Sequence, residues 1–176
     1  MGLRRFGLVG LVCALFAWPA EAADDWVTVV PLDGSFTASM PMKPRFIMDD
    51  AGKGDYTNMA TYIMNRDGRI FAVGYADVKP DAKGSMDQLM ETNRNDFVKS
   101  IRAKLTGSQP IQFHNAPGDP RPASEFTAVS EKASCKGLIV ADGMRIFQVV
   151  ACTRTGVDAP EDIERMLSSF TIVPRS

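Results

Sequence analysis

The chain has 176 residues, with 20 Lys and Arg against 21 Asp and Glu, a formal net charge of −1, and 1 His. Its cations are scattered among acids, which excludes the basic stripe of a nucleic-acid footprint or an anionic membrane surface. A lone His argues against zinc enzymes, whose sites take three or four His, Cys or acidic ligands, and the G-x-S-x-G turn of a hydrolase nucleophile is absent from the sequence.

Arg4 and Arg5 precede an apolar run over residues 6–18, and Ala20-Glu21-Ala22 has the small-x-small pattern of a cleavage site. The run falls short of the roughly 20 apolar residues that span a bilayer. Residues 1–22 therefore read as a secretory signal peptide, and residues 23–176 as one exported periplasmic domain with no membrane span after cleavage. Val12 stands before Cys13, where a lipid-acceptor cysteine wants a small residue.

In chain order, WVTVV and SFTASM are β-prone runs separated by Pro31, Asp33 and Gly34. In the second, Phe36, Ala38 and Met40 alternate with polar residues, which predicts a hairpin with one buried face. Residues 45–55, RFIMDDAGKGD, carry two Gly and three Asp beyond the apolar start and read as a loop. Residues 56–78 read as two strands joined at Asp67-Gly68, a dipeptide suited to a turn that needs positive φ.

The period then changes. Met86, Leu89, Met90, Phe97, Ile101 and Leu105 fall at helical spacing, Ser85 and Gln88 form a capping box, and Gly107 supplies a stop. IQFHNA follows as a strand, and PGDPRP as a loop whose prolines oppose regular pairing. ASEFTAVS, CKGLIVA and MRIFQVVACT read as strands, the last two hinged at Asp142-Gly143. PEDIERMLSSF reads as a second helix, with Pro160 suited to its first position and Glu161 and Asp162 to its positive end. TIV can add a final strand. Strands, helix, strands, helix, strand, with hairpin connections, predict an α+β fold: a mainly antiparallel sheet with two packed helices.

GSFTASMPMKP, PGDPRPASEF, DGMRIFQVV and DIERMLSSFTI resemble, in that order, landmarks of PsbP-like or DcrB-like exported bacterial domains. The resemblance covers nearly all of residues 23–176, is made mainly of packing residues, and implies an α-β-α sandwich around an antiparallel sheet. It brings no catalytic motif to carry over. The pair Cys135 and Cys152 is no part of the family's pattern.

Two registers bring those cysteines to one face of the last hairpin. A two-residue turn at Asp142-Gly143 sets them diagonally, and sliding Ala141 opposite Ile146 sets them directly opposite. Their even number after cleavage and the oxidising compartment favour a structural disulfide over free buried thiols or a redox or ligand site. Redox catalysis prefers C-x-x-C spacing at an electropositive helix end.

Met40, Met42 and Met48 are soft donors that suit Cu(I), but Met40 continues a buried alternation and Met commonly fills core gaps. The adjacent acids Asp24-Asp25, Asp49-Asp50 and Glu161-Asp162 read as solvated or capping charge. Residues 52–54, GKG, lack the rest of a phosphate loop. No cofactor, metal or catalytic residue is expected. The functional expectation is a non-catalytic binding or assembly module for an unknown protein or small ligand, without nucleic acid. Its contacts would come from two loops, through Asp49, Asp50, Lys53, Asp55, His114, Asp119 and Arg121, since loops on a rigid sheet are where binding usually resides. The alternatives are a carrier of an apolar or lipid ligand between sheet and helix, and an enzyme with an unrecognised site.

Overall fold

The computed structural model describes residues 26–49, 54–116, 118 and 120–174. The expected signal peptide lies outside these residues. The elements run β1 (Val27–Val29), β2 (Phe36–Met40), β3 (Arg45–Asp49), β4 (Tyr56–Arg66), β5 (Arg69–Val78), α1 (Met86–Ser100), β6 (Lys104–Phe113), β7 (Arg121–Val129), β8 (Ala133–Asp142), β9 (Arg145–Arg154), α2 (Pro160–Ser169) and β10 (Thr171–Ile172). A seven-stranded antiparallel sheet has the order β3-β4-β5-β9-β8-β7-β6, and a three-stranded sheet the order β1-β2-β10. This is the α+β architecture that the sequence predicts.

Asp67 and Gly68 both have positive φ, at 52° and 74°, and Arg66 pairs with Arg69 around them. That is the geometry of a type I′ turn, whose twist matches the flanking strands. The last hairpin takes the second of the two registers, with Ala141 opposite Ile146. Asp142 pairs with Arg145, so Gly143 and Met144 form the loop, with Gly143 at φ 59°. Glycine ahead of a residue with ordinary φ suits a type II′ turn.

This register pairs Cys135 directly with Cys152 and bonds them, with Cα atoms 4.0 Å apart. Pairs alternate along a ladder, and counting from Asp142–Arg145 makes the cysteines a non-hydrogen-bonded pair, the closer of the two kinds.

The central strands β8 and β9 are buried on both faces and so lose the alternation of a one-sided strand. On one face, Phe71, Val73, Phe147 and Val149 pack against Phe36, Ala38 and Met40 of β2, Met166 of α2, and Phe170. Phe36, Phe147 and Phe170 form a ring cluster with centroids 5.7–6.1 Å apart. On the other face, Leu89, Met90 and Val98 of α1 pack on Phe126, Cys135, Ile139 and Val150. Helix, sheet, and helix with a small sheet make three layers.

Three expectations need correction. Residues 45–49 form strand β3, because the long β4 offers Phe46, Ile47 and Met48 a pairing edge that outweighs the Asp- and Gly-rich stretch behind them. Helix α1 ends at Ser100, with no part played by Gly107. The Ala103 N–H donates to the Val98 carbonyl at 3.0 Å and the Arg102 N–H to Lys99 at 3.0 Å, with Arg102 at φ 53°. This is a Schellman stop in which Arg holds the place that Gly usually takes. Strand β6 then begins at Lys104 and β7 at Arg121, so both contain a proline. Pro110 is tolerated because β6 is an edge strand, and Pro122 sits at the second residue of β7.

The N-terminus of α1 follows its sequence signature. The Gln88 N–H donates to Ser85 Oγ at 3.3 Å, and the Ser85 N–H donates to Gln88 Oε1 at 2.9 Å. Among the described residues, no helix is long and apolar enough to cross a membrane.

Candidate functional site

Gly137 decides where α1 sits. It pairs with Phe126 across β7 and β8, and the Phe126 ring lies where a Cβ on Gly137 would stand, at 2.3 Å. Phe97 of α1 meets that ring edge-on at 5.9 Å. The helix is thereby seated over the β6–β8 side of the sheet, and the β4–β5 side of the same face is left partly open. A trough of about 240 Å³ results, lined by Met59, Thr61 and Ile63 of β4, Ala72, Gly74 and Ala76 of β5, Ile146, Gln148 and Val150 of β9, and Asn93 and Phe97 of α1.

The lining is mostly apolar, with Thr61, Asn93 and Gln148 among its polar side chains. Asn93 Oδ1 and Gln148 Nε2 are buried and have no hydrogen-bond partner. Each such atom costs about 1–3 kcal/mol relative to a satisfied one. An acceptor and a donor thus stand unpaired in the wall and floor of one trough. Tyr56 closes the neighbouring contact: its hydroxyl donates to the Leu89 carbonyl at 3.3 Å and interacts with the Asn93 side chain. Burial raises the Tyr56 phenol above its ordinary pKa, against the lowering effect of Asn93.

A polar knot lies on the opposite face. The Arg145 guanidinium, 4% exposed, donates to Asp77 through Nε at 2.6 Å and a terminal nitrogen at 2.9 Å. It also donates to Asp33 and to Ser35 Oγ, the latter at 2.9 Å, and stacks 3.6 Å from the Tyr75 ring centroid. Desolvation pushes the Asp33 carboxyl up, but hydrogen bonds from Arg145 and Ser35 outweigh it and hold the pKa below the ordinary value. Every group here is spoken for, so the knot anchors the β1–β2 connection to the main sheet and offers no reactive group.

Of the residues expected to form binding loops, the described ones fall in two places: Asp55 precedes β4, while His114 and Arg121 flank the β6–β7 connection at the Phe113–Arg121 pair. Asp49 ends strand β3, while Asp50, Lys53 and Asp119 lie outside the described residues. Asp55 is tied locally, with Oδ1 accepting from the Lys83 N–H at 3.3 Å and its carbonyl from the Lys79 N–H at 2.8 Å. Arg121 pairs with Asp142 at 2.6 Å. His114 is exposed beyond β6, beside Asn115 and Glu164 in a shallow depression. The β3–β4 and β6–β7 connections leave the same end of the sheet but are separated by four strand spacings, roughly 19 Å. Met40 is fully buried in the core, and Met48 is half-exposed at the sheet edge. Among the described residues, no group of three or more His, Cys, Asp or Glu is placed to hold a metal ion.

Asn93 and Gln148 escape a reading of the sequence, although each leaves a mark. Asn93 occupies a position four after Leu89 and four before Phe97, on the stripe that is otherwise apolar. Gln148 interrupts Ile146, Val150 and Cys152, which share its face of β9.

With the geometry in hand, comparison with known proteins separates fold from function. No family model and no curated protein matches the chain. Among solved structures, it is similar to the solution structure of cyanobacterial PsbP (CyanoP) from Synechocystis sp. PCC 6803, with a TM-score of 0.52 over 90% of this chain and 99% of that one, at 9% identity. At that identity the likeness is one of fold. The chain is therefore an α+β protein with a PsbP-like fold.

Proposed function

We propose that the protein is an exported, non-catalytic binding module that receives a small, largely apolar ligand in the trough beside α1. One observation carries this reading: Asn93 Oδ1 and Gln148 Nε2 are left unpaired within a single, mostly apolar trough. Natural interiors pair nearly all such atoms, and a ligand group with both a donor and an acceptor would satisfy these two at once. A volume of about 240 Å³ is below the roughly 300–1,000 Å³ of sites that enclose a whole drug-sized ligand. The trough suits an apolar chain lying along β4 and β5 with one hydroxyl or amide against α1. This favours the apolar carrier over contact through the charged loops, where Asp55 and Arg121 already have local partners.

The test is titration of the purified protein with a fluorescent N-phenylnaphthylamine probe, in the original chain and in Gln148→Leu and Ala72→Phe variants. Ala72→Phe fills the trough and should abolish probe binding while the fold is retained. Gln148→Leu should keep affinity for the apolar probe but lose selectivity for hydroxyl- or amide-bearing competitors. Absence of probe binding by the original chain, or binding indifferent to Ala72→Phe, would sink the proposal. Export is checked separately: intact mass of protein taken from its own periplasm should correspond to the chain without residues 1–22, less two hydrogens.

A further inference from the structure

The two edges of the main sheet are unlike. At the β6 edge, the ladder to β7 is irregular between Leu105 and Gly107, and Pro110 removes a donor. Both features are devices that blunt an edge against pairing. Strand β3 has neither within Arg45–Asp49, and it exposes Phe46 at 43%, Ile47 at 48% and Met48 at 50%.

The direction of the free backbone groups follows from the ladder. Arg66 and Arg69 close the two-residue turn as a hydrogen-bonded pair, so alternate residues of β4, including Tyr62 and Ala60, bond toward β5. Thr61 and Ile63 then bond toward β3, through their partners Ile47 and Arg45. Phe46 and Met48 are left with their N–H and C=O groups pointing away from the sheet.

We infer that β3 pairs antiparallel with β3 of a second copy, on a two-fold axis through Ile47. In this register Phe46 stands opposite Met48 of the second copy, and these are the residues whose main-chain groups face outward. Ile47 meets its own equivalent as a non-hydrogen-bonded pair, so the alternation of the ladder is satisfied without adjustment. About four main-chain hydrogen bonds form across the seam. At the ends, Arg45 comes opposite Asp49 of the second copy, pairing residues of opposite charge, whereas a parallel arrangement would set like beside like. The segment RFIMD is self-complementary in this one sense.

Both faces gain from the pairing. Phe46, already 4.9 Å from the Tyr62 ring, acquires Met48 of the second copy as a cross-strand neighbour. Ile47 shares the face of Thr61, so the two troughs come to lie on one continuous sheet surface. The contact is isologous and uses up the open edge of each chain, so assembly closes at two copies.

Two measurements test this on the purified protein. Sedimentation equilibrium should give twice the chain mass, with the dissociation constant raised at least about tenfold by Ile47→Lys, which sets like charges face to face on the axis, and unchanged by Ser108→Lys on β6. Met48→Pro should weaken association similarly, because it removes an outward N–H and spares the β3–β4 ladder. Oxidation of Ile47→Cys should give a disulfide-linked dimer, since its mate would stand within bonding reach, while Phe46→Cys should not. A sole monomer at concentrations up to about 1 mM, or a dimer indifferent to Ile47→Lys and Met48→Pro, overturns the inference. So does equal crosslinking at Phe46→Cys and Ile47→Cys. An extended peptide that pairs with β3 of a monomer would name a different occupant and also overturn it. The trough and its probe binding are independent of these outcomes.

Discussion

The substitution Arg145→Met should destabilise the protein more than the loss of any of the more exposed ion pairs among the described residues. The guanidinium donates to Asp77 through two nitrogens, to Asp33 and to Ser35, and rests on the Tyr75 ring. Removing one partner of a buried ion pair costs about 3–5 kcal/mol, mostly from the carboxylates left behind. Asp33 and Asp77 remain 31% and 22% exposed and regain some hydration, which places the loss near the lower end, at about 3 kcal/mol. With a urea slope of ~2 kcal/mol/M, the midpoint falls by about 1.5 M. Arg145→Lys keeps the charge but loses the two-pronged contact and the stacking, and should cost about half as much. The effect depends on pH with a definite sign. Asp33 has a folded-state pKa below its ordinary 3.8, so its contribution is present above that value and is lost as pH falls through the lower, folded one. The difference in stability between the original chain and the Arg145→Met variant should therefore be full at pH 7 and shrink below about pH 4. A midpoint shift equivalent to less than about 1 kcal/mol at pH 7, the value of an exposed pair, would refute the reasoning.

Reducing the Cys135–Cys152 bond, which spans 17 residues, should remove roughly 3 kcal/mol and lower Tm by about 6–12 °C, read by calorimetry with and without reductant. An unchanged Tm would mean that the hairpin is held by its packing alone. Gly137→Ala should cost about 1–3 kcal/mol in urea titration, because its Cβ would meet the buried Phe126 ring, and the loss should be relieved by Phe126→Leu in the same chain. Ser85→Ala should cost about 1 kcal/mol by removing the cap of α1, with amide exchange quickening first at Gln88 and Leu89.

What can be read from the sequence is local, and what cannot depends on partners distant in the chain. Asp67-Gly68, the Ser85–Gln88 box and the alternation of Phe36, Ala38 and Met40 act through neighbours within a turn or a strand, and each appears as read. The end of α1 is hidden because Ile101 and Leu105 continue the apolar spacing, whereas the Schellman stop rests on Arg102 entering a backbone region that its side chain disfavours. Strand β3 is hidden because its stability comes from pairing with β4, which a five-residue segment beside Gly and Asp does not announce. The trough is further from view. Asn93 and Gln148 stand out in sequence only as polar residues on apolar stripes, which are compatible with an ordinary satisfied pair. They come to line one trough with an unpaired atom each because Gly137 admits the Phe126 ring, Phe97 seats on that ring, and α1 is held to one side of the sheet. A helix centred over β5 and β9 would bury the same stripe without leaving an opening. The candidate site is thus a consequence of an offset set by a glycine more than 40 residues from Asn93, and Gly137→Ala should disturb probe binding together with stability.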